Sequence, residues 1–419
     1  MSLNTSEEGI LGTPVTWEEF EKNLRSSLKT DATFGPNKTV VDIGDGKGFA
    51  SCTGMIDCDW VGAGADEKLP SKVVLKIPSS IPFRKMNDAM PEERRAIKSD
   101  NNAAWEAMEM NLRNGHNIEI ASYEFFDGFS GLKIPRKYYG TKYTDEEKGY
   151  LCVEFMHNSM MMEFTVNYEV DLLKQIARAL GQLGACSLQK EPVDPDLHKD
   201  MFLEYVEKTF TKEYYCGMNK GLLAWDSSEK TAELIGKIVK LAEEYYASNI
   251  TTTLHKQMGF PPVLVNGDCK TGNVLIDIDS GNLLSLIDWA STHLGVGVED
   301  LIRISLFSLS AETRRESTGV LIEEMYDGMV EKLDGAKAPY TLDQLKTIYD
   351  LVFPHCALFF AGFAPMILKK FDNDTTLSSE KKDEIIKLLM GKCLGALEDV
   401  LVIHEKNKEI MKTLKFRME

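Results

Sequence analysis

The feature that most constrains this chain is a carboxylate-bearing loop framed by three short apolar runs. Between Val263 and Asp288 the runs PVLV, NVLI and LLSLI alternate with NGDCKTG and DIDSGN, which reads as short strands around tight turns. Asp268 and Asn273 stand in the first turn, and Asp288 closes the third run fifteen residues after Asn273. A bare D-x4-N pair is expected about once by chance in a chain of this length. A hairpin that returns a second carboxylate to the same place is a stronger constraint. It brings Asn273 and Asp288 together as oxygen ligands suited to Mg²⁺, which takes few protein ligands beside phosphate oxygens. Asp268 is then left to face an incoming hydroxyl, and Lys270 either contacts a transferred phosphoryl group or is a surface lysine.

Phosphoryl transfer also needs a cradle for the phosphates, and the N-terminal part offers parts of one. In GDGKGFAS, Gly44, Gly46 and Gly48 alternate between two strand-like segments, which fits both a phosphate-covering loop and an ordinary hairpin turn. Lys76 sits inside the apolar run KVVLKI, either as a phosphate-pairing lysine or as a solvated edge lysine. Glu119 lies in HNIEIASYEFF, whose apolar positions have helical spacing, and is either the partner of that lysine or an exposed helix glutamate.

The rest of the chain sorts into a sheet-rich and a helix-rich half. Thr16 with Glu19 predicts a helix from there to about Leu28. Short runs from Thr39 to Ile77, then KIPRKYYG and GYLCVEFM, predict antiparallel strands, with a polar stretch from Ser79 to Asn114 before the Glu119 helix. Beyond His157, apolar residues recur every three or four positions at Leu172–Leu183 and Leu234–Leu241, as in amphipathic helices. The expected division is therefore 1–157 and 158–419, in an α+β chain with a small antiparallel-sheet lobe and a large, mainly helical lobe.

Composition narrows the partners. A formal charge of -17 repels nucleic-acid backbones and anionic lipid, so neither is an expected partner. The eight cysteines form no CxxC pair and no signal peptide is evident, which predicts reduced thiols and a cytoplasmic location. The apolar run from Cys356 to Leu368 contains Gly362 and Pro365 and is expected as a buried helix in two pieces, too short to span a bilayer. His157, His255 and His293 lack metal-site spacing, and the aromatic groups Tyr214, Tyr215 and Phe359, Phe360, Phe363 are expected in the core.

Taken in order, GDGKGF, the lysine of VVLKI, the glutamate of HNIEIASY, VEFM, NGDCKTGN and LIDW resemble the ecdysteroid-kinase-like family of small-molecule kinases, related to choline kinases and aminoglycoside phosphotransferases. The resemblance runs from TWEEFE to HLGVGVEDLIRI and covers most of the chain. It implies a bilobal protein-kinase-like fold and transfer of the γ-phosphate of ATP, with Mg²⁺, to a small-molecule alcohol such as a steroid, choline-like or xenobiotic compound. It further implies that the glycine-rich segment covers the triphosphate, that Lys76 and Glu119 position it, and that the stretch from Glu154 to Met156 holds adenine through backbone groups. Asp268 would orient the acceptor, Asn273 and Asp288 would bind the metal, and Asp300 would be structural. The family usually has histidine where this chain has Asn266, so a nucleotide-binding pseudokinase is the alternative. DCKTGN is similar to the choline kinase version of the loop, whereas IDWASTHLGVGVEDL follows the ecdysteroid-kinase-like version.

Overall fold

The computed structural model describes residues 8–44, 50–88, 97–98, 101–201, 203–204, 206, 210–246 and 248–414. Gly46 and Gly48 lie outside these residues. The chain divides into two units, Met1–Asp127 with Ile134–Asn158, and Gly128–Lys133 with Ser159–Glu419. The sequence reading assigned 128–133 to the first unit. These residues are instead fastened to the second, where the amide of Leu286 donates to the Lys133 carbonyl and the Lys332 ammonium to that of Ser130.

The first unit opens with α1 (Trp17–Leu28), where the Thr16 hydroxyl accepts the amide of Glu19 as expected of an N-cap. Strands β1 (Thr33–Phe34), β2 (Thr39–Asp42), β3 (Ser51–Asp57), β4 (Trp60–Val61) and β5 (Lys72–Pro78) follow, then α2 (Ile81–Asp88) and α3 (Asn102–Phe126), β6 (Lys137–Gly140) and β7 (Leu151–Glu154). The main sheet is antiparallel in the order β2-β3-β5-β7-β6. Alternation along β5 puts Val73, Leu75 and Ile77 into a core with Phe20, Leu24 and Tyr150. Lys76, out of step with them, is left to the opposite face. The helix carrying Glu119 begins well before the expected start, at Asn102, because Trp105, Glu109, Leu112 and His116 are buried along it at helical spacing and Asn101 caps it through the amide of Ala104.

The second unit contains β8 (Ser159–Met161), α4 (Val170–Gln189), α5 (Lys212–Gly217), α6 (Glu229–Leu241), α7 (Ile250–Met258), β9 (Val263–Val265), β10 (Val274–Asp277), β11 (Leu283–Leu286), β12 (His293–Gly295), α8 (Val298–Ser308), α9 (Ala311–Leu333), α10 (Leu342–Asp372) and α11 (Ser379–Met411). The three predicted runs around Asp268 are β9, β10 and β11, and the expected α+β class, a small antiparallel sheet beside a mainly helical remainder, is met. Helices α4 and α9 meet at Gly181 and Gly328, where a methyl group would fall 1.9 Å from the Met325 carbonyl and 2.3 Å from that of Arg178. The segment expected as two helical pieces is instead continuous through Pro354 and Pro365 in α10. Packing against α8 and α11 outweighs the hydrogen bonds the two prolines remove. By length and hydropathy α10 could cross a membrane, yet 72% of its apolar window is buried within the protein.

Candidate active site

In the first unit the β5 lysine and the α3 glutamate do meet. Lys76 Nζ lies 2.7 Å from Glu119 Oε2, with the glutamate side chain 3% exposed and the lysine 20%. A cation at this distance offsets the cost of burying a carboxylate. Gly44 follows β2 and donates its amide to the Asp42 carboxylate at 2.9 Å and to the Thr53 carbonyl of β3 at 3.2 Å, so the described start of the glycine-rich segment stays alongside β3. Glu154 exchanges backbone contact with Arg136, donating its amide to that carbonyl at 2.8 Å, while its side chain accepts the Arg136 amide at 3.2 Å. Met156 follows beyond the strand.

In the second unit Asp268, Lys270, Asn273 and Asp288 come together in one small cluster. The Asn273 side-chain amide donates to the Asp268 carbonyl at 2.9 Å and to its carboxylate at 3.1 Å. Lys270 Nζ stands 2.5 Å from the same carboxylate. The amide of Ile287 donates to the Asn273 carbonyl at 3.0 Å, which sets Asp288 beside Asn273. Asp288 has φ +61°, the left-handed region that Asp and Asn tolerate better than most residues.

Asn266 joins these groups with both ends of its amide. Its Nδ2 donates to the Asp288 carbonyl at 3.0 Å, and its Oδ1 accepts the amide of Asp268 at 3.0 Å. Asp300 grips the same turn from α8, accepting the amides of Asn266 at 2.6 Å and Gly267 at 3.0 Å. Burial and the Glu299 carboxylate push Asp300 up to about 7, against the Asn266 amide and the Arg303 and His293 cations, which favour the charged form. Gly267 is required here: with φ +78°, a methyl group would sit 2.3 Å from the Ser291 carbonyl.

Sequence reasoning missed the ionic cluster behind this turn. His293, on β12 next to β9, sets Nε2 3.4 Å from Glu299 and 3.8 Å from Asp200, and Arg303 Nε lies 3.5 Å from the other Glu299 oxygen. Burial opposes a charge on His293, but Asp200 and Glu299 outweigh it and raise its pKa to about 10. Burial likewise opposes the Glu299 carboxylate, which His293 and Arg303 nonetheless hold down at about 2. The one available signal was the i,i+4 spacing of Glu299 and Arg303 in VEDLIR. Of the aromatic groups expected in the core, Tyr215 and Phe359 pack there with centroids 5.2 Å apart, whereas Tyr214 is 56% exposed.

Comparison with known proteins adds the following. A model of the family DUF1679, described as "Uncharacterized oxidoreductase dhs-27", matches residues 3–408. An uncharacterized kinase-like protein of Caenorhabditis elegans, D1044.1, is 24% identical over 309 residues, 72% of this chain and 80% of its own length. The uncharacterized oxidoreductase dhs-27 of the same organism is 25% identical over 171 residues, 39% of this chain, and the match spans 20% of that protein. Among solved structures, choline kinase from Cryptosporidium parvum aligns over 90% of both chains at 10% identity with a TM-score of 0.45. The GDP complex of aminoglycoside 2'-phosphotransferase-IIIa aligns over 90% of this chain and 98% of its own at 12% identity with a TM-score of 0.44.

Proposed function

We propose that this chain, which belongs to the DUF1679 family, is a kinase that transfers the γ-phosphate of ATP to a hydroxyl of a small-molecule alcohol. The observation that carries the reading is the convergence of Asp268, Asn273 and Asp288 on the amide of Asn266 and its neighbours. The kinase-like name of the nematode relative, which is matched over most of its length, agrees with it. The oxidoreductase name, which the family model also carries, is that of a protein of which the match spans 20% of the length.

The donor set fits Mg²⁺. Asn273 turns its Nδ2 toward Asp268, so its carbonyl oxygen faces the other way, and Asp288 adds a carboxylate: two hard oxygen donors, as this ion takes beside phosphates. When bound there, the ion would neutralise charge on the phosphate oxygens.

Asp268 accepts the hydrogen bond of the acceptor hydroxyl and aims its lone pair at the γ-phosphorus. The new P–O bond forms as the bond to the β–γ bridging oxygen breaks. ADP leaves with that electron pair, and the hydroxyl proton passes to the Asp268 carboxylate. Lys270, 41% exposed and paired with Asp268 in the free protein, moves to the transferred phosphoryl group. Lys76, held by Glu119, pairs the α- and β-phosphates, the Gly44 segment covers them, and the stretch from Glu154 to Met156 holds the base.

Asn266 bears on the pseudokinase alternative. Its amide occupies both positions needed to tie Asp268 to Asp288, which supports turnover without histidine at this place. Transfer of labelled phosphate from ATP to a panel of alcohols tests the reading. The Asp268→Asn variant should lose at least about a hundredfold in kcat, and equal labelling by variant and wild type would remove Asp268 from its role.

A further inference from the structure

Just before Glu119 on α3 stand two polar residues, His116 and Asn117, the first buried and the second half-buried. Both spend their hydrogen bonds on the connection between β6 and β7. His116 Nε2 lies 2.9 Å from the Thr141 carbonyl, which only accepts, so Nε2 carries hydrogen and donates. Burial lowers the pKa of this ring to about 4, so it is neutral. Asn117 pairs with Tyr143 in both directions: its Nδ2 donates to the Tyr143 carbonyl at 3.1 Å, and its Oδ1 accepts the Tyr143 amide at 2.7 Å. Gly149 leaves room for these bonds, since a methyl group there would fall 2.5 Å from the Thr141 carbonyl and 2.7 Å from His116 Nε2. One turn earlier on α3, Leu112 packs on Tyr143 and the Arg113 guanidinium lies 4.7 Å from its ring.

Neighbouring residues on a helix project about 100° apart, so anchors at 116 and 117 fix the rotation of α3 about its axis as well as its distance from the sheet. Glu119 follows His116 by three residues and shares its face. The connection is tied in turn to the strand beside Lys76. The Thr141 amide donates to the Tyr150 carbonyl at 3.2 Å, and Leu151 of β7 is the register partner of Lys76 on β5. Glu119 and Lys76 are thus joined twice, once through their ion pair and once through the sheet, the connection and the two anchors.

Resting on the kinase reading above, we propose that His116 and Asn117 are positioning residues, a clamp that holds α3 at the angle where Glu119 meets Lys76 and so sets the lysine for the nucleotide phosphates. The placement of the helix that carries such a glutamate decides whether the lysine is ready for phosphate. A lysine and a glutamate on separate elements also lose conformational freedom when they pair. The clamp supplies that order in advance, through three hydrogen bonds made by neither member of the pair.

His116→Leu, Asn117→Ala and the double variant of the full chain test this, with His116→Gln as the conservative exchange, whose side-chain amide can donate to the same carbonyl. ATP affinity is read by calorimetry, and acetylation of Lys76 by acetic anhydride in the free protein is followed by mass spectrometry. The double variant should bind ATP about fivefold more weakly and label Lys76 severalfold faster, because a lysine released from its carboxylate is more often uncharged. His116→Gln should stay within about twofold of wild type in both. In a Glu119→Gln background the two substitutions should change neither readout further, the non-additivity expected of residues that act through that glutamate. A merely structural role would weaken ATP binding in both backgrounds. Unchanged affinity and labelling in the double variant, or effects that persist in the Glu119→Gln background, overturn the proposal. Should the double variant not fold, His116→Leu, which keeps both Asn117 bonds, carries the same comparisons. A wild type that binds no ATP, with Lys76 labelling responding as expected, supports the clamp and overturns the kinase reading instead.

Discussion

Asp300 accepts the backbone amide of Asn266 at 2.6 Å, and through that bond α8 fixes the turn from which Asp268 projects. The carboxylate also takes the Gly267 amide, so one buried side chain satisfies two backbone donors that have no water to turn to. Asp300→Ala should therefore lower the unfolding free energy by about 2 to 4 kcal/mol, the cost of two orphaned buried amides. Asp300→Asn keeps one good acceptor and should lose about half as much. Urea titration of the three proteins checks this, and a loss below about 1 kcal/mol for the alanine variant would show that the grip is not needed.

Asn266→Ala removes both the donation to the Asp288 carbonyl and the acceptance from the Asp268 amide. At about 1 kcal/mol for each bond, kcat should fall roughly tenfold to thirtyfold. The KM for ATP should stay within a factor of two, since the nucleotide is not contacted. Asn266→His restores a group able to donate and accept at the same place, and should recover most of the rate. Steady-state kinetics of the pair decides the point.

Lys76→Met leaves Glu119 buried without its cation. The expected result is at least a tenfold rise in the dissociation constant for ATP, read by calorimetry. Glu119→Gln should produce a smaller loss, because the lysine remains but is no longer held in place. Unchanged nucleotide affinity in Lys76→Met would remove the lysine from the phosphate site.

Stability should depend on pH through His293 and Glu299. The histidine has its pKa raised to about 10, so its contribution is complete below about 6.5 and fades as pH rises through 10. The glutamate has its pKa lowered to about 2, so its contribution is complete above about 4.5 and fades as pH falls through 2. Both are complete between roughly pH 4.5 and 6.5. Wild type should thus lose stability from pH 6.5 to 9 more steeply than His293→Gln, and parallel urea midpoints across that range would contradict the charge assignment.

What the sequence made legible is what lies close along the chain or repeats with a period. The turn from Asn266 to Asn273 and the strand ending at Asp288 were readable because strands β9 to β11 follow one another within 24 residues, 263 to 286. Lys76 was readable as a break in an alternating strand, and Glu119 as a member of a helical face, although only their order in the chain linked them. The ring of His293, Glu299, Arg303, Asp200 and His355 was not readable, because tertiary packing assembles it from positions between 200 and 355. Polar composition hid the first part of α3, and two prolines hid the continuity of α10, since in both cases packing and caps outvoted local preference. Of the three glycines in the glycine-rich segment Gly44 is described, with its amide on the Thr53 carbonyl, while Gly46 and Gly48 lie outside the described residues.

The left-handed backbone at Asp288 makes this position unusually hard to replace. Glycine and asparagine keep the conformation but surrender the carboxylate. Glutamate keeps the charge but strains the chain and carries its oxygens one carbon too far. Conformation and chemistry thus exclude complementary halves of the amino-acid alphabet, and aspartate is what remains when both vetoes are applied.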